Sequence, residues 1–370
     1  MSILFSPLSL RDLTLPNRIV VSPMCQYSAE DGVANEWHMI HVGSMALSGA
    51  GMLTIEATAV EPDGRITPGC LGLWDDATEA ALKPIFTAVR RHAKVAVTMQ
   101  LSHAGRKASS HLPWKGGAQI PLSEGGWIAH APSAVPHTSG ELAPTALDRE
   151  GMHRIRDAFV ATAKRAIRLG VDGLELHGAH GYLAHEFLSP ISNRRTDDYG
   201  GSLENRMRFP LEIFEAIRAA MPSGMPLGVK VSATDWVDGG WDLEQTIAFA
   251  KALKNRHADW MSVSSGGISP SQKITTGPGY QVPFAAAIRE ASGLHVTSVG
   301  LITDAHQAED IVASGKADLV ALARAMLYDP RWAWHAAAEL GGSVHAPPQY
   351  WRAPPRGHEN LFANTVHGAR

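Results

Sequence analysis

Apolar residues along this chain gather into short runs rich in Val, Ile and Leu, with longer amphipathic stretches between them. The runs are Arg18–Ser22, Met52–Ala57, Val95–Gln100, Gly173–Leu176, Leu227–Val231, Trp260–Ser264, His295–Val299 and Leu319–Ala323. Continuous runs of this kind suit strands buried on both faces of a parallel sheet. Helical patterning covers Glu79–His92, Asp148–Leu169, Leu211–Met221, Asp242–Arg256 and Asp304–Ala313. Asp148 or Thr145 reads as an N-cap, and Gly170 and Gly315 as stops. Pro210 reads as the residue that opens its helix. Eight strands alternating with helices predict an α/β fold of the (β/α)8 TIM-barrel type. The alternative is a doubly wound open sheet, but no strand is followed by the glycine fingerprint that would favour it.

Two segments exceed a minimal barrel. Residues 102–146 are rich in Gly, Pro, Ser and His without a sustained period, which predicts a long loop or lid after the third strand. The expected organisation is one barrel domain over residues 1–342 and a Pro-rich C-terminal tail over 343–370. The aromatic pair Tyr350–Trp351 suggests that this tail docks onto a neighbouring subunit.

Composition narrows the function classes. Of 370 residues, 45% are hydrophobic and 19% charged, a globular balance. A net charge of −3 gives no electrostatic case for nucleic acid or an anionic membrane. The two cysteines, Cys25 and Cys70, cannot build a disulfide scaffold or hold an iron–sulfur cluster. The N-terminus lacks a signal-peptide pattern, and Gly49, Gly51 and Glu56 interrupt the most apolar long window. A cytoplasmic protein without a membrane span is expected.

Barrel enzymes work where their strands end. Here the first strand is followed by Pro23, Met24, Cys25, Gln26 and Tyr27. Ala57 ends the second and Gln100 the third. His177, His180 and Tyr182 follow the fourth, Lys230 lies near the end of the fifth, Gly300 follows the seventh and Arg324 the eighth. Two His three residues apart can hold a metal, with Glu175 as a candidate carboxylate, or aim two donors at one anionic oxygen. The phenol of Tyr182 suits the second use, as a proton donor. Lys230 is costly to bury without an anionic partner. Gly300 and Arg324 lie where barrels hold a phosphate.

The phrases RIVVSPMCQYSAEDG, EATAVEPDGRITPGCLGLW, QLSHAGRKAS, ELHGAHGYLAHEFLSPISNRRTDDYGGSLENRMRF and SVGLITD resemble the Old Yellow Enzyme family of FMN-dependent ene-reductases. They are closest to the xenobiotic-reductase branch, which has Cys beside the flavin. The resemblance implies bound FMN, reduced by NADPH or NADH, and hydride delivery to the β-carbon of a small-molecule activated alkene. It implies that Pro23, Met24 and Ala57 line the flavin and that Gln100 bonds its pyrimidine edge. Lys230 would stabilise the reduced form, and Gly300 and Arg324 would hold the phosphate. Cys25 would tune the flavin and touch substrate, with Tyr27 as a second substrate-side hydroxyl. His177 and His180 would bind the carbonyl or nitro oxygen, and Tyr182 would protonate the α-carbon. No metal is implied. A homodimer or homotetramer is expected, with Arg352 of the tail a candidate to reach a neighbouring site. Two departures stand out: relatives commonly have Arg at Lys230 and Gly at Ala323. A barrel metallohydrolase using His177 and His180, and a non-catalytic flavin-binding protein, are the competing readings.

Overall fold

The eight apolar runs form one closed parallel barrel in the computed structural model, which describes residues 2–363 and 365. The strands are β1 (Ile19–Val21), β2 (Met52–Ala59), β3 (Ala96–Ser102), β4 (Gly173–Gly178), β5 (Leu227–Ser232), β6 (Trp260–Ser264), β7 (His295–Val299) and β8 (Leu319–Leu322). They neighbour one another in chain order, and β8 pairs with β1 to close the ring. The helices are α1 (Glu36–Ala46), α2 (Asp76–His92), α3 (Arg149–Arg168), α4 (Leu183–Leu188), α5 (Leu203–Ala220), α6 (Leu243–Lys254), α7 (Val282–Ser292), α8 (Ala305–Ala313), α9 (Arg324–Tyr328) and α10 (Trp332–Leu340).

Strand alternation divides the core in two. Ile19 and Val21 of β1 belong to the large core shared with the helices. Val20, between them, belongs to an interior cluster with Met52, Ala96, Trp260, Leu319 and Ala321. Leu10 and Leu15 complete that cluster from an antiparallel hairpin, Leu8–Leu10 with Leu13–Leu15, which stoppers the barrel where its strands begin. Trp260 packs flat on Gly228, where a Cβ would come within 2.1 Å of the indole. Further along the strands the interior turns polar: Thr54 bonds Thr98 at 2.9 Å, and Gln100 and Ser262 both bond Glu175. The barrel thus has an apolar floor and a polar mouth.

Several boundaries differ from the sequence reading. β2, β3 and β4 run on past Ala57, Gln100 and Leu176, so His177 lies inside β4, in register with Lys230. Pro210 does not open α5. The helix begins at Leu203, capped by Ser202, and carries Pro210 within it. Proline forfeits its N–H bond to the carbonyl of Arg206, but burial of Phe209, Ile213 and Phe214 along one face keeps the helix continuous. Helix α1 carries only a weak amphipathic pattern, because polar and apolar positions mix around its turns. The long segment after β3 holds three single 3-10 turns and a two-residue parallel pairing of His130–Ala131 with Thr145–Ala146.

The tail folds back on its own chain. Val344 bridges to Phe362, and Leu361 and Phe362 are buried with Ala337 of α10, against Phe5 and Trp334. Tyr350 meets Trp334 edge-on at 6.0 Å. No described helix is long and apolar enough to cross a membrane.

Candidate functional site

Glu175 organises the polar mouth. Its carboxylate accepts hydrogen bonds from Gln100 Nε2 at 2.7 Å, Ser262 Oγ at 2.6 Å and Trp260 Nε1 at 3.3 Å. Parallel pairing supplies this geometry, since Gln100 lies opposite Glu175, and Lys230 opposite both His177 and Ser262. Lys230 is buried. Desolvation lowers its pKa, opposed by the charge of Glu175. Lys230 so placed sets a basic side chain beside His177 and within reach of the Glu175 charge.

His177, His180 and Tyr182 converge on the same end. The His177 ring lies 5.3 Å from that of His180 and 4.8 Å from that of Tyr182, edge-on to both. Burial, then the charge of Lys230, holds both imidazoles well below the usual histidine range, so both are neutral at pH 7. The backbone N–H of Ala179 donates to Nδ1 of His177 at 3.2 Å. Nδ1 is therefore bare, and His177 carries its hydrogen on Nε2. For His180, Nε2 is 2.8 Å from Ser264 Oγ. Ser265 already serves Gln281 Oε1 at 2.6 Å, whereas Ser264 lies 3.4 Å from it. When the Ser264 hydroxyl donates to His180 Nε2 rather than to the more distant Gln281, the hydrogen of His180 is on Nδ1. Both rings can present one N–H. Burial raises Tyr182 well above the ordinary phenol range, so it too is protonated.

The turn after β1 supplies Pro23, Met24, Cys25 and Tyr27, all half-buried. The amide N–H of Gln26 donates to Glu56 Oε2 at 3.0 Å, and Gln26 Nε2 to the Met24 carbonyl at 2.8 Å, which fixes the turn presenting Cys25. Burial pushes the Cys25 thiol up, reinforced by Cys70 and Glu56. Tyr27 is raised by burial and then by Cys25. It sits at φ +51 and packs edge-on against Trp114 of the long segment at 5.9 Å. Ala57 is buried on β2.

Across the mouth, Gly300 follows β7 at φ +117, and a Cβ there would lie 2.5 Å from Gln281 Nε2. Arg324 begins α9 and is exposed, with no acidic partner among the described residues. Ala323 has φ −110, so the departure from glycine brings no left-handed strain. Arg352 is exposed, on a tail whose Trp351 packs beside the C-terminal ends of α1 and α2, away from the strand ends.

Sequence reading left three contributors unassigned. Ser264 ends β6, where no distinctive residue type stands. Gln281 precedes α7 and is nearly fully buried. Lys107 follows β3 within QLSHAGRKAS, yet its Nζ reaches the carbonyls of His180 at 2.9 Å and Gly267 at 3.1 Å. Only contacts across the chain reveal these roles.

The donor set fits FMN. A buried basic side chain and an amide suit an electron-accepting ring edge, and an exposed guanidinium and a glycine backbone after the neighbouring strands β8 and β7 suit a phosphate. By contrast, no group of three His, Cys, Asp or Glu that could hold one metal ion occurs among the described residues. Comparisons with known proteins agree with the flavin. The sequence profile of the NADH:flavin oxidoreductase / NADH oxidase family matches residues 3–341. An NADH:flavin oxidoreductase of Gibberella zeae is 43% identical over 358 residues, covering 92% of this chain and 86% of the relative. An NADPH dehydrogenase of Geobacillus thermodenitrificans is 42% identical over 353 residues, covering 95% and 98%. Among solved structures, morphinone reductase superposes with a TM-score of 0.76 at 27% identity, covering 98% of this chain and 94% of that one.

Proposed function

Since the chain belongs to the NADH:flavin oxidoreductase / NADH oxidase family, the Old Yellow Enzyme group of FMN oxidoreductases that use NADH or NADPH, we propose that it reduces the C=C bond of activated alkenes such as enones and nitroalkenes. The observation that carries this reading is the convergence of two neutral imidazoles and a protonated phenol beside the buried Lys230 and Gln100. When bound, FMN supplies the redox chemistry, taking hydride from NADH or NADPH and passing it to the β-carbon of the alkene.

In this reading Pro23, Met24 and Ala57 line the flavin, Gln100 and Lys230 meet its polar edge, and Gly300 and Arg324 take its phosphate. Cys25 tunes the site from the substrate side, with Tyr27 beside it. His177 through Nε2 and His180 through Nδ1 donate to the carbonyl or nitro oxygen. Negative charge builds on that oxygen in the transition state, and losing one such donor costs about 2.7–4 kcal/mol. Tyr182 gives its proton to the α-carbon, so one hydride and one proton together saturate the double bond. A homodimer or homotetramer, with Arg352 reaching a neighbour's site, belongs to the same proposal.

The test separates two half-reactions. The purified protein should be yellow and bleach with NADPH or NADH, and cyclohexenone should restore the colour. Tyr182→Phe should slow the cyclohexenone step by about 10²-fold or more, the usual worth of a positioned acid, and barely alter bleaching. Equal slowing of both steps would contradict the proton-donor role.

A further inference from the structure

The turn carrying His180 and Tyr182 is under conformational load. His180 occupies the left-handed region at φ +59, and Gly181 follows at φ +75. The turn also lies backbone to backbone against the loop after β6. A Cβ on Gly181 would come within 2.2 Å of the Gly267 carbonyl, and one on Gly267 within 2.5 Å of His180 Cα. Two carbonyls, those of His180 and Gly267, therefore face one region, where their dipoles repel unless a donor lies between them. Lys107 is that donor, at 2.9 and 3.1 Å, and its ammonium also stands 5.3 Å from the centre of the Tyr182 ring.

We propose that Lys107 is a positioning residue for alkene reduction: its ammonium ties the His180 turn to the loop after β6 and, lying over the Tyr182 ring, favours release of the phenol proton. The inference rests on the ene-reductase reading and adds to it a residue outside the reacting set. Two physical effects combine. Charge-assisted bonds to both carbonyls hold His180 in a strained backbone state that orients its ring. A cation over an aromatic face stabilises negative charge developing on that ring as the phenol becomes phenolate.

The surroundings give the proposal a pH signature. Burial lowers Lys107 to about 8, with Glu186 opposing and Arg106 adding to the shift. Glu186 on α4 accepts the Arg106 amide at 2.7 Å and is itself pushed up to about 8 by burial. Glu141 and His137 approach from the long segment, and His177, His180 and Tyr182 from the β4 end. Burial and the charges of Lys107 and Arg106 hold His137 down to about 4, so it cannot replace the cation at neutral pH. The Lys107 ammonium is present at pH 7 and lost as the pH rises through 8. Loss of that proton does not itself weaken the fold, because a lysine with a lowered native pKa favours the native state as pH rises. An alkaline fall in alkene reduction without a fall in melting temperature is therefore expected.

The experiment follows the cyclohexenone step and the NADPH step separately from pH 6 to 9.5, using the flavin-loaded enzyme and the variants Lys107→Met, Lys107→Arg and Glu186→Gln. Wild type should lose the cyclohexenone step with an apparent pKa near 8. Lys107→Met should slow that step at pH 7 by about tenfold or more, the rate equivalent of one charge-assisted bond, and slow bleaching by NADPH less. Lys107→Arg, charged throughout, should restore most of the rate and abolish the alkaline limb. Glu186→Gln should keep a limb. If the limb stays near pH 8 in Lys107→Arg, or if Lys107→Met slows both steps equally, the inference is overturned. A wild-type enzyme that bleaches with NADPH but reduces no alkene would overturn the underlying reading as well. Normal wild-type turnover with unaffected variants would overturn this inference alone.

Discussion

Glu56 shows how a residue that in sequence only interrupts an apolar window becomes consequential once folded. It stands in the apolar run of β2, yet the fold brings it against the amide of Gln26 and within 3.7 Å of His38 Nε2. Burial raises its carboxyl from 4.5 to about 8 and, with His41, lowers His38 to about 4, so both are neutral at pH 7. The native carboxyl binds its proton more tightly than the unfolded one. Its contribution to stability is thus complete below pH 4.5 and is lost as pH rises towards 8. Glu56→Gln cannot ionise and keeps an oxygen for the Gln26 amide. Relative to wild type it should gain stability between pH 4.5 and 8, by at most about 1.4 kcal/mol per pH unit, and gain nothing more above pH 8. Urea denaturation at pH 5, 7 and 9 reads this directly, and a pH-independent difference would refute it. Lys230 was legible as special because a lysine in LGVKV breaks an apolar run. The protonation state of Glu56 was not legible, because it depends on desolvation by helices that lie next to it only in space.

At the level of elements, the strands were legible and their continuations were not. The strands announced themselves as buried runs, but β2, β3, β4 and β5 run on by one or two residues where the interior becomes the mouth, and pattern alone ends those four too early. That is why His177 read as a loop residue although it pairs with Lys230 inside the sheet. The loops that follow hold the finest constraints. After β7, Gly300 combines φ +117 with close contact to Gln281, whose amide bonds the Val299 carbonyl at 2.9 Å. Gly300→Ala should therefore strain the backbone by about 1–3 kcal/mol and displace Gln281. FMN retention should weaken by about tenfold, roughly 1.4 kcal/mol. Ala323→Gly, at a position without left-handed strain, should leave retention nearly unchanged. Fluorescence of released FMN during dilution measures both, and equal losses would show that the two loops do not differ in this way.

Across the whole molecule, the tail was the least legible part, because it carries no helical or strand period and its buried aromatics meet partners on another element, α10, and at the N-terminus. Phe362 packs on Trp334 at 4.7 Å, in a cluster that also includes Phe5. No local period can encode such a contact. Phe362→Ala should cost about 3–5 kcal/mol, as for other buried phenylalanines, and lower the melting temperature while leaving the flavin spectrum intact. A variant that loses flavin at unchanged stability would contradict this. The division of the barrel into an apolar floor and a polar mouth reaches further. Substitutions in groups that share no contacts combine additively, so hairpin and floor positions can be varied for robustness while mouth positions are varied for substrate range. Trp260 breaks that independence, since its ring packs in the floor while its N–H reaches Glu175 in the mouth. Directed evolution of this scaffold would therefore meet its strongest epistasis at one tryptophan, and libraries that hold Trp260 fixed would search the two ends as separate problems.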